Sequence, residues 1–235
     1  MILLQQRYTS PDPRRAAELE QVRATNAVAG MFDRVEFVDP DERRLTFADL
    51  IALAAERFAG RTCVVANSDI AFDASIHGVQ TLLAGAGGPM LVALSRWDDD
   101  TAPSLEGRID PATWTFYSHS QDAWAFVAGR LPRFEGRFRL GVPACENRLA
   151  FEAAAAGVAV VNPALSIRCR HHHASAVRTW RPGEAYRGPL LFPRLTTADV
   201  GDRRALVIDR RGWRTRKEVV RQVGDFAALV RGGRR

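Results

Sequence analysis

Cysteine is scarce in this sequence. Its three cysteines, Cys63, Cys145 and Cys169, stand far apart with no C-x-x-C pair, which argues against a disulfide framework and against a structural zinc site. Long apolar runs are missing too. The opening Met1-Ile2-Leu3-Leu4 gives way at once to Gln5, Gln6 and Arg7, too short a stretch for a signal peptide or a membrane span. Reduced thiols and the lack of a span predict a soluble, cytoplasmic protein with no membrane partner. Lys217 is the only lysine among 33 basic residues. An arginine surface suits bidentate phosphate recognition, although a GC-rich coding sequence gives the same bias. There is no H-E-x-x-H, no internal repeat and no glycine-rich, lysine-containing phosphate loop near the first apolar run, which weakens the case for a zinc hydrolase or a nucleotidyltransferase.

What is present fits one sizeable α/β domain: 235 residues, 46% hydrophobic, with a formal charge of +6. Such a charge attracts polyanions or phosphorylated ligands in a salt-dependent way. Residues 1–6 read as a buried strand, and Ser10-Pro11-Asp12-Pro13 opens a helix over 14–26. A strand over 32–38 and a helix over 47–58 with Thr46 as N-cap follow. The β-branched run 62–66 stops at Asn67-Ser68-Asp69, and the run 90–94 at Ser95-Arg96-Trp97-Asp98. This is the pattern of central parallel strands presenting polar groups at their carboxyl ends. A helix over 75–84 lies between them. Residues 98–110, acidic and broken by Pro103 and Gly107, read as an exposed loop. Strands are expected over 114–117, 123–128 and 158–161, with a helix over 147–156. From Arg203 onward eleven basic residues face three acidic ones, and Val219, Val220, Val223, Phe226, Leu229 and Val230 predict an amphipathic C-terminal helix.

Several residues carry candidate chemistry. Asp69, with Asp73 as a second carboxylate, could hold a Mg²⁺ or Mn²⁺ ion that neutralises a leaving diphosphate, although polar residues after a buried strand commonly just begin a turn. His171 and His173, at alternate positions, would point both rings to one face and add metal ligands, or else belong to an exposed loop. Glu146, at the start of a helix, could serve as a general base or simply favour the helix dipole. Asp122, after Gln121, could contact a donor sugar or an acceptor, or cap a turn.

Taken in order, 64–73 (Val64-Val65-Ala66-Asn67-Ser68-Asp69-Ile70-Ala71-Phe72-Asp73), 93–98 and Ser120-Gln121-Asp122-Ala123-Trp124-Ala125-Phe126 resemble a family of glycosyltransferases with the GT-A fold. Leu140-Gly141, Cys145-Glu146-Asn147-Arg148, Asn162-Pro163 and His171-His172-His173-Ala174-Ser175 continue the resemblance, which covers roughly residues 1–180. It implies a single GT-A-like, Rossmann-related α/β domain over 1–200 with a central mixed, mostly parallel sheet flanked by helices. A basic, helical extension over 201–235 would pack on that domain. Asn67-x-Asp69 stands where related enzymes carry a metal-binding D-x-D, with Asn67 as a weaker neutral ligand, and Glu146 stands where aspartate is expected. The resemblance further implies a UDP-, GDP- or dTDP-sugar donor bordered by Gln5, Arg7, Asn67, Ser68, Asp69, Arg96, Trp97 and Gln121, with residues 5–9 along its nucleotide base. The metal, Mn²⁺ or Mg²⁺, would sit on Asp69 with His171 or His173, and Glu146 or Asp122 would act in catalysis. Ser95, Arg96, Trp97 and Asp122 would line the sugar and acceptor side. The acceptor is a hydroxyl compound, and the basic tail makes a modified base in nucleic acid one candidate. A non-enzymatic nucleic-acid-binding protein is the competing class.

Overall fold

The computed structural model describes residues 1–28, 30–40, 44–98, 120–133, 135–175, 177, 180–181 and 183–199, together with the backbone of strands at 107–110, 115–118, 205–209 and 216–220. In chain order the elements begin with β1 (Ile2–Gln6), α1 (Pro13–Val28), β2 (Arg34–Val38), α2 (Phe47–Arg57), β3 (Thr62–Ala66) and β4 (Ile70–Phe72). After a 3₁₀ turn at Ala74–His77 come α3 (Gly78–Ala84), β5 (Met90–Leu94), β6 (Arg96–Trp97), β7 (Gly107–Asp110), β8 (Thr115–Ser118) and β9 (Ala123–Val127). The chain continues with α4 (Cys145–Ala155), β10 (Ala159–Val161), β11 (Cys169–His171), β12 (Pro189–Pro193), β13 (Ala205–Asp209) and β14 (Arg216–Val220).

The architecture is α/β, built on a mixed six-stranded sheet in the order β10-β5-β9-β3-β1-β2. β9 alone runs antiparallel to its neighbours β3 and β5; the remaining pairs are parallel. Central strands covered on both faces read as continuous apolar runs, and the core shows why. Leu4, Val65, Leu91, Trp124 and Phe126 face one cluster with Phe47 and Leu50 of α2 and Leu149 and Ala153 of α4. Leu3, Val64, Val92, Ala123 and Ala125 face a second cluster with Val79 and Leu83 of α3. The helix expected at 47–58 is α2. Thr46 Oγ1 accepts from Asp49 N, and Asp49 Oδ2 accepts from Thr46 N at 2.9 Å, a reciprocal capping box.

The reversal of β9 decides where polar groups gather. Its first residue, Ala123, sits opposite Ala66 at the end of β3 and Leu94 at the end of β5. The loop entering β9 therefore lies on the same sheet edge as the loops leaving β1, β3 and β5. Two backbone bonds extend the ladder into it: Asn67 N donates to Asp122 O, and Asp122 N to Leu94 O, both at 2.9 Å.

A smaller three-stranded sheet, β4-β11-β6, stands over this edge. β11 pairs antiparallel with β4 and parallel with β6. A third sheet, β12-β13-β14, runs across residue 200, the boundary expected between domain and extension. Residues 205–209 and 216–220 are strands and not part of a helix, because β12 supplies β13 with a partner strand and β13 in turn pairs with β14. The helix expected over the last apolar positions, 223–230, lies outside the described residues, as does most of the expected loop at 98–110, whose last four residues form β7. Among the described residues no helix is long and apolar enough to cross a membrane.

Candidate functional site

A cavity of about 420 Å³ opens at the carboxyl edge of the sheet, within the range that takes a small organic ligand. The end of β1 and the loops after β1 and β3 contribute Gln6, Tyr8, Asn67, Ser68 and Asp69 to its wall, β6 contributes Arg96, and the loop before β9 contributes Ser120, Gln121 and Asp122. Arg15 enters from α1, Cys145 and Glu146 from the start of α4, and His171 and His173 from β11 and its exit.

One side of this wall is an acid-imidazole cluster. The backbone N of His172 donates to Asp69 O at 2.8 Å, drawing the end of β11 against the turn after β3. The flanking side chains then converge: His171 Nε2 and His173 Nδ1 each lie 3.4 Å from Asp69 Oδ2. Alternate positions thus do bring both rings to one face, with ring centroids 5.4 Å apart. Burial works against ionisation of Asp69, but hydrogen bonds from His171 and His173, with the charges of His171 and Arg15, outweigh it and hold the carboxyl well below the usual range. Burial alone would lower the His171 imidazole, and the Asp69 carboxylate overcomes it and moves the group above its ordinary value. His171 Nδ1 is itself held by Asp98 Oδ1 at 2.9 Å, and His173 Nε2 by Val177 O at 2.9 Å.

One ligand atom from each of Asp69, His171 and His173 lies within 4.8 Å of the other two. A carboxylate with two imidazoles is a three-donor set suited to a first-row divalent cation, leaving further positions for ligand oxygens. The residues present therefore fit a metal of the kind expected from the sequence. Asp73 takes no part. Its Oδ1 accepts from Ser75 N at 2.9 Å, capping the 3₁₀ turn, and its other oxygen faces Arg170 at 3.8 Å.

The same cavity holds the two candidate proton acceptors in different states. Both oxygens of Asp122 are engaged, Oδ1 by Asn67 Nδ2 at 2.8 Å and Oδ2 by the Ser120 hydroxyl, with Arg96 Nη1 3.8 Å away. Glu146 sits in the first turn of α4, positioned by Ala144, whose φ of 67° puts a non-glycine residue in the left-handed region. Burial pushes the Glu146 carboxyl up to about 7, and the nearby Asp122 charge adds to the rise. A carboxyl titrating there can exchange a proton near neutral pH.

Asn67, Ser68, Asp69, Arg96, Gln121, Asp122, Glu146, His171 and His173 thus share one cavity. Gln5, Arg7 and Trp97 do not line it. Gln5 is buried, and its Nε2 donates to Asn67 O at 2.8 Å and Ile70 O at 2.9 Å, fixing the turn that carries Asp69. Arg7 pairs with Asp39 at 3.4 Å, both side chains largely exposed. Trp97 is buried with its Nε1 donating to Ala164 O at 2.8 Å and Arg168 stacked 4.6 Å from its ring. Ser95 is likewise interior, its Oγ bridging Ser120 O at 2.6 Å and Asn162 Nδ2 at 2.8 Å. Gln6 and Tyr8, within the stretch 5–9 expected along the nucleotide base, do line the cavity; missing from the expected set were Arg44 and, above all, Arg15, whose guanidinium is buried beside Asp69.

No family model matches the chain, and no curated protein matches it.

Proposed function

We propose that this protein is a metal-dependent glycosyltransferase of the GT-A type, moving a sugar from a nucleoside-diphosphate donor to a hydroxyl acceptor. The observation that carries this reading is the convergence of Asp69, His171 and His173 in a cavity that Glu146 also lines. The sheet supports it as well: polar loops gathered at the carboxyl edge, with one reversed strand adding its own loop to them, make a nucleotide-sized site at a place where α/β folds bind ligands. The sequence resemblance points the same way.

A divalent cation on Asp69, His171 and His173 would supply positive charge for the departing diphosphate. Two imidazoles among three protein donors favour Mn²⁺ over Mg²⁺, which prefers oxygen and near-ideal octahedral geometry. Glu146, ionised, accepts the proton of the acceptor hydroxyl. The acceptor oxygen bonds to the anomeric carbon as the bond from that carbon to the diphosphate oxygen breaks, and the nucleoside diphosphate carries away the electron pair. Asp122, with both oxygens already committed, is better suited to fixing Asn67 and Arg96 around the sugar than to taking a proton.

Calorimetric titration with UDP-, GDP- and dTDP-sugars tests the reading. Binding of at least one donor that requires Mn²⁺ and is lost in Asp69→Asn is the expected result; folded protein that binds none of them in either metal would refute it.

A further inference from the structure

We infer that Arg15 is a phosphate-binding residue held out of use by Asp69 until a divalent cation takes the carboxylate. The inference rests on the reading that Asp69, His171 and His173 hold such a cation.

Arg15 lies in the first turn of α1, where Asp12 Oδ1 accepts from its backbone N at 2.8 Å. Its side chain is only 6% exposed yet reaches the cavity wall. The two ends of the guanidinium do different work. Nη1 donates to Glu18 Oε2 at 2.9 Å and to His172 O at 2.8 Å. Glu18 in turn accepts from the backbone N of Ala174 at 3.1 Å and of Ser175 at 2.9 Å, so this half is anchored to the chain that bears the histidines. Nη2 makes the ion pair with Asp69.

That ion pair falls on Oδ2, the same oxygen that both imidazoles approach. A cation seated among Asp69, His171 and His173 competes with Nη2 for this atom. It also places positive charge beside a guanidinium that Glu18 and His172 keep in position, and like charges at such a distance repel strongly in a partly desolvated site. The repulsion is relieved when an anion bridges the two. A diphosphate oxygen can bind the metal while another accepts from the freed Nη2 in a charge-assisted hydrogen bond. Metal and diphosphate then bind with positive coupling, each raising the affinity of the other.

The contrary view is that Arg15 merely orients Asp69. The two differ in sign. If Arg15 competes with the metal, Arg15→Gln tightens Mn²⁺ binding; if it orients the ligand, the same change loosens it. Calorimetric titration of Mn²⁺ alone into wild type, R15Q and D69N is the first arm. The second follows inorganic pyrophosphate binding to each Mn²⁺-saturated protein at fixed free Mn²⁺. The expected result is Mn²⁺ affinity increased by about tenfold or more in R15Q, pyrophosphate affinity decreased by about tenfold or more, and Mn²⁺ binding lost in D69N. Should R15Q not fold, R15K keeps the charge on a shorter arm and is expected to weaken pyrophosphate by several-fold, while its Mn²⁺ affinity is no lower than wild type. Unchanged or weaker Mn²⁺ binding in R15Q, or unchanged pyrophosphate binding, overturns the inference and leaves the metal site standing. No Mn²⁺ binding to wild type or R15Q removes both.

Discussion

Asn67 donates its side-chain amide to Asp122 at 2.8 Å, and the same two residues are joined by a backbone bond of 2.9 Å. The pair ties the end of β3 to the beginning of β9 and keeps the amide of Asn67 turned towards Asp122 while Asp69, two residues on, faces the histidines. Asn67→Ala therefore leaves Asp122 short of one partner and loosens its hold at the cavity wall. A loss of about 1–2 kcal/mol in unfolding free energy is expected from denaturant titration, with donor affinity falling and Mn²⁺ affinity nearly unchanged.

The raised Glu146 carboxyl gives the proposed reaction a pH signature. The group must be ionised to accept a proton and titrates near 7, so kcat/KM is expected to fall about tenfold per unit below that value and to level off above it. Glu146→Gln should lower kcat by roughly a hundredfold or more and leave Mn²⁺ binding intact. A pH-independent rate between 5 and 8 contradicts the assignment.

The same group ties stability to pH. The folded protein holds the Glu146 proton more tightly than the unfolded chain, whose carboxyl titrates near its ordinary value, so ionising it costs stability as pH rises from about 4.5 through 7. Relative to wild type, Glu146→Gln should be close in stability at pH 4.5 and more stable at pH 8 by roughly 2 kcal/mol, less than the full shift implies because the side chain borders the open cavity. Urea midpoints at the two pH values measure this difference.

Gln5 and Arg7 separate scaffold from surface. Gln5→Ala strips hydrogen bonds from the carbonyl of Asn67 at the cavity edge and from the buried Ile70 carbonyl and Asn26 amide. It should cost about 2–3 kcal/mol and reduce metal affinity by misplacing Asp69. Arg7→Ala, removing an exposed ion pair, should change stability by under about 1 kcal/mol and leave donor binding as it was.

These contrasts show what the sequence could and could not convey. β3, β5 and β9 were legible because both faces of each strand are covered, which writes them as apolar runs with polar residues after β3 and β5 and before β9. Thr46 and Asp49 announced α2 through local capping chemistry. β4, β6 and β11 are two or three residues long and owe their existence to partners as much as a hundred positions away, so no local period marks them. β13 and β14 were hidden similarly: Val219 and Val220 fit a helical stripe until β12 is seen to start a sheet. In the site, Asp69, His171, His173 and Glu146 were recognisable by type and position. Gln5 was placed at the donor by the resemblance alone, and nothing local in the sequence shows that its side chain lies buried under the turn, bonded to the carbonyls of Asn67 and Ile70. Arg15 was missed because an arginine in a first helical turn reads as solvent-facing, and its partners Asp69 and His172 lie 54 and 157 positions away.

The most direct measurement follows nucleoside diphosphate released from a panel of nucleotide-sugars, with water as the acceptor, for wild type and Asp69→Ala with and without Mn²⁺. The account predicts metal-dependent release from at least one donor by wild type and none above background by the variant. Release that is indifferent to both Mn²⁺ and Asp69, or no release from any donor by folded wild type under any of these conditions, would contradict it.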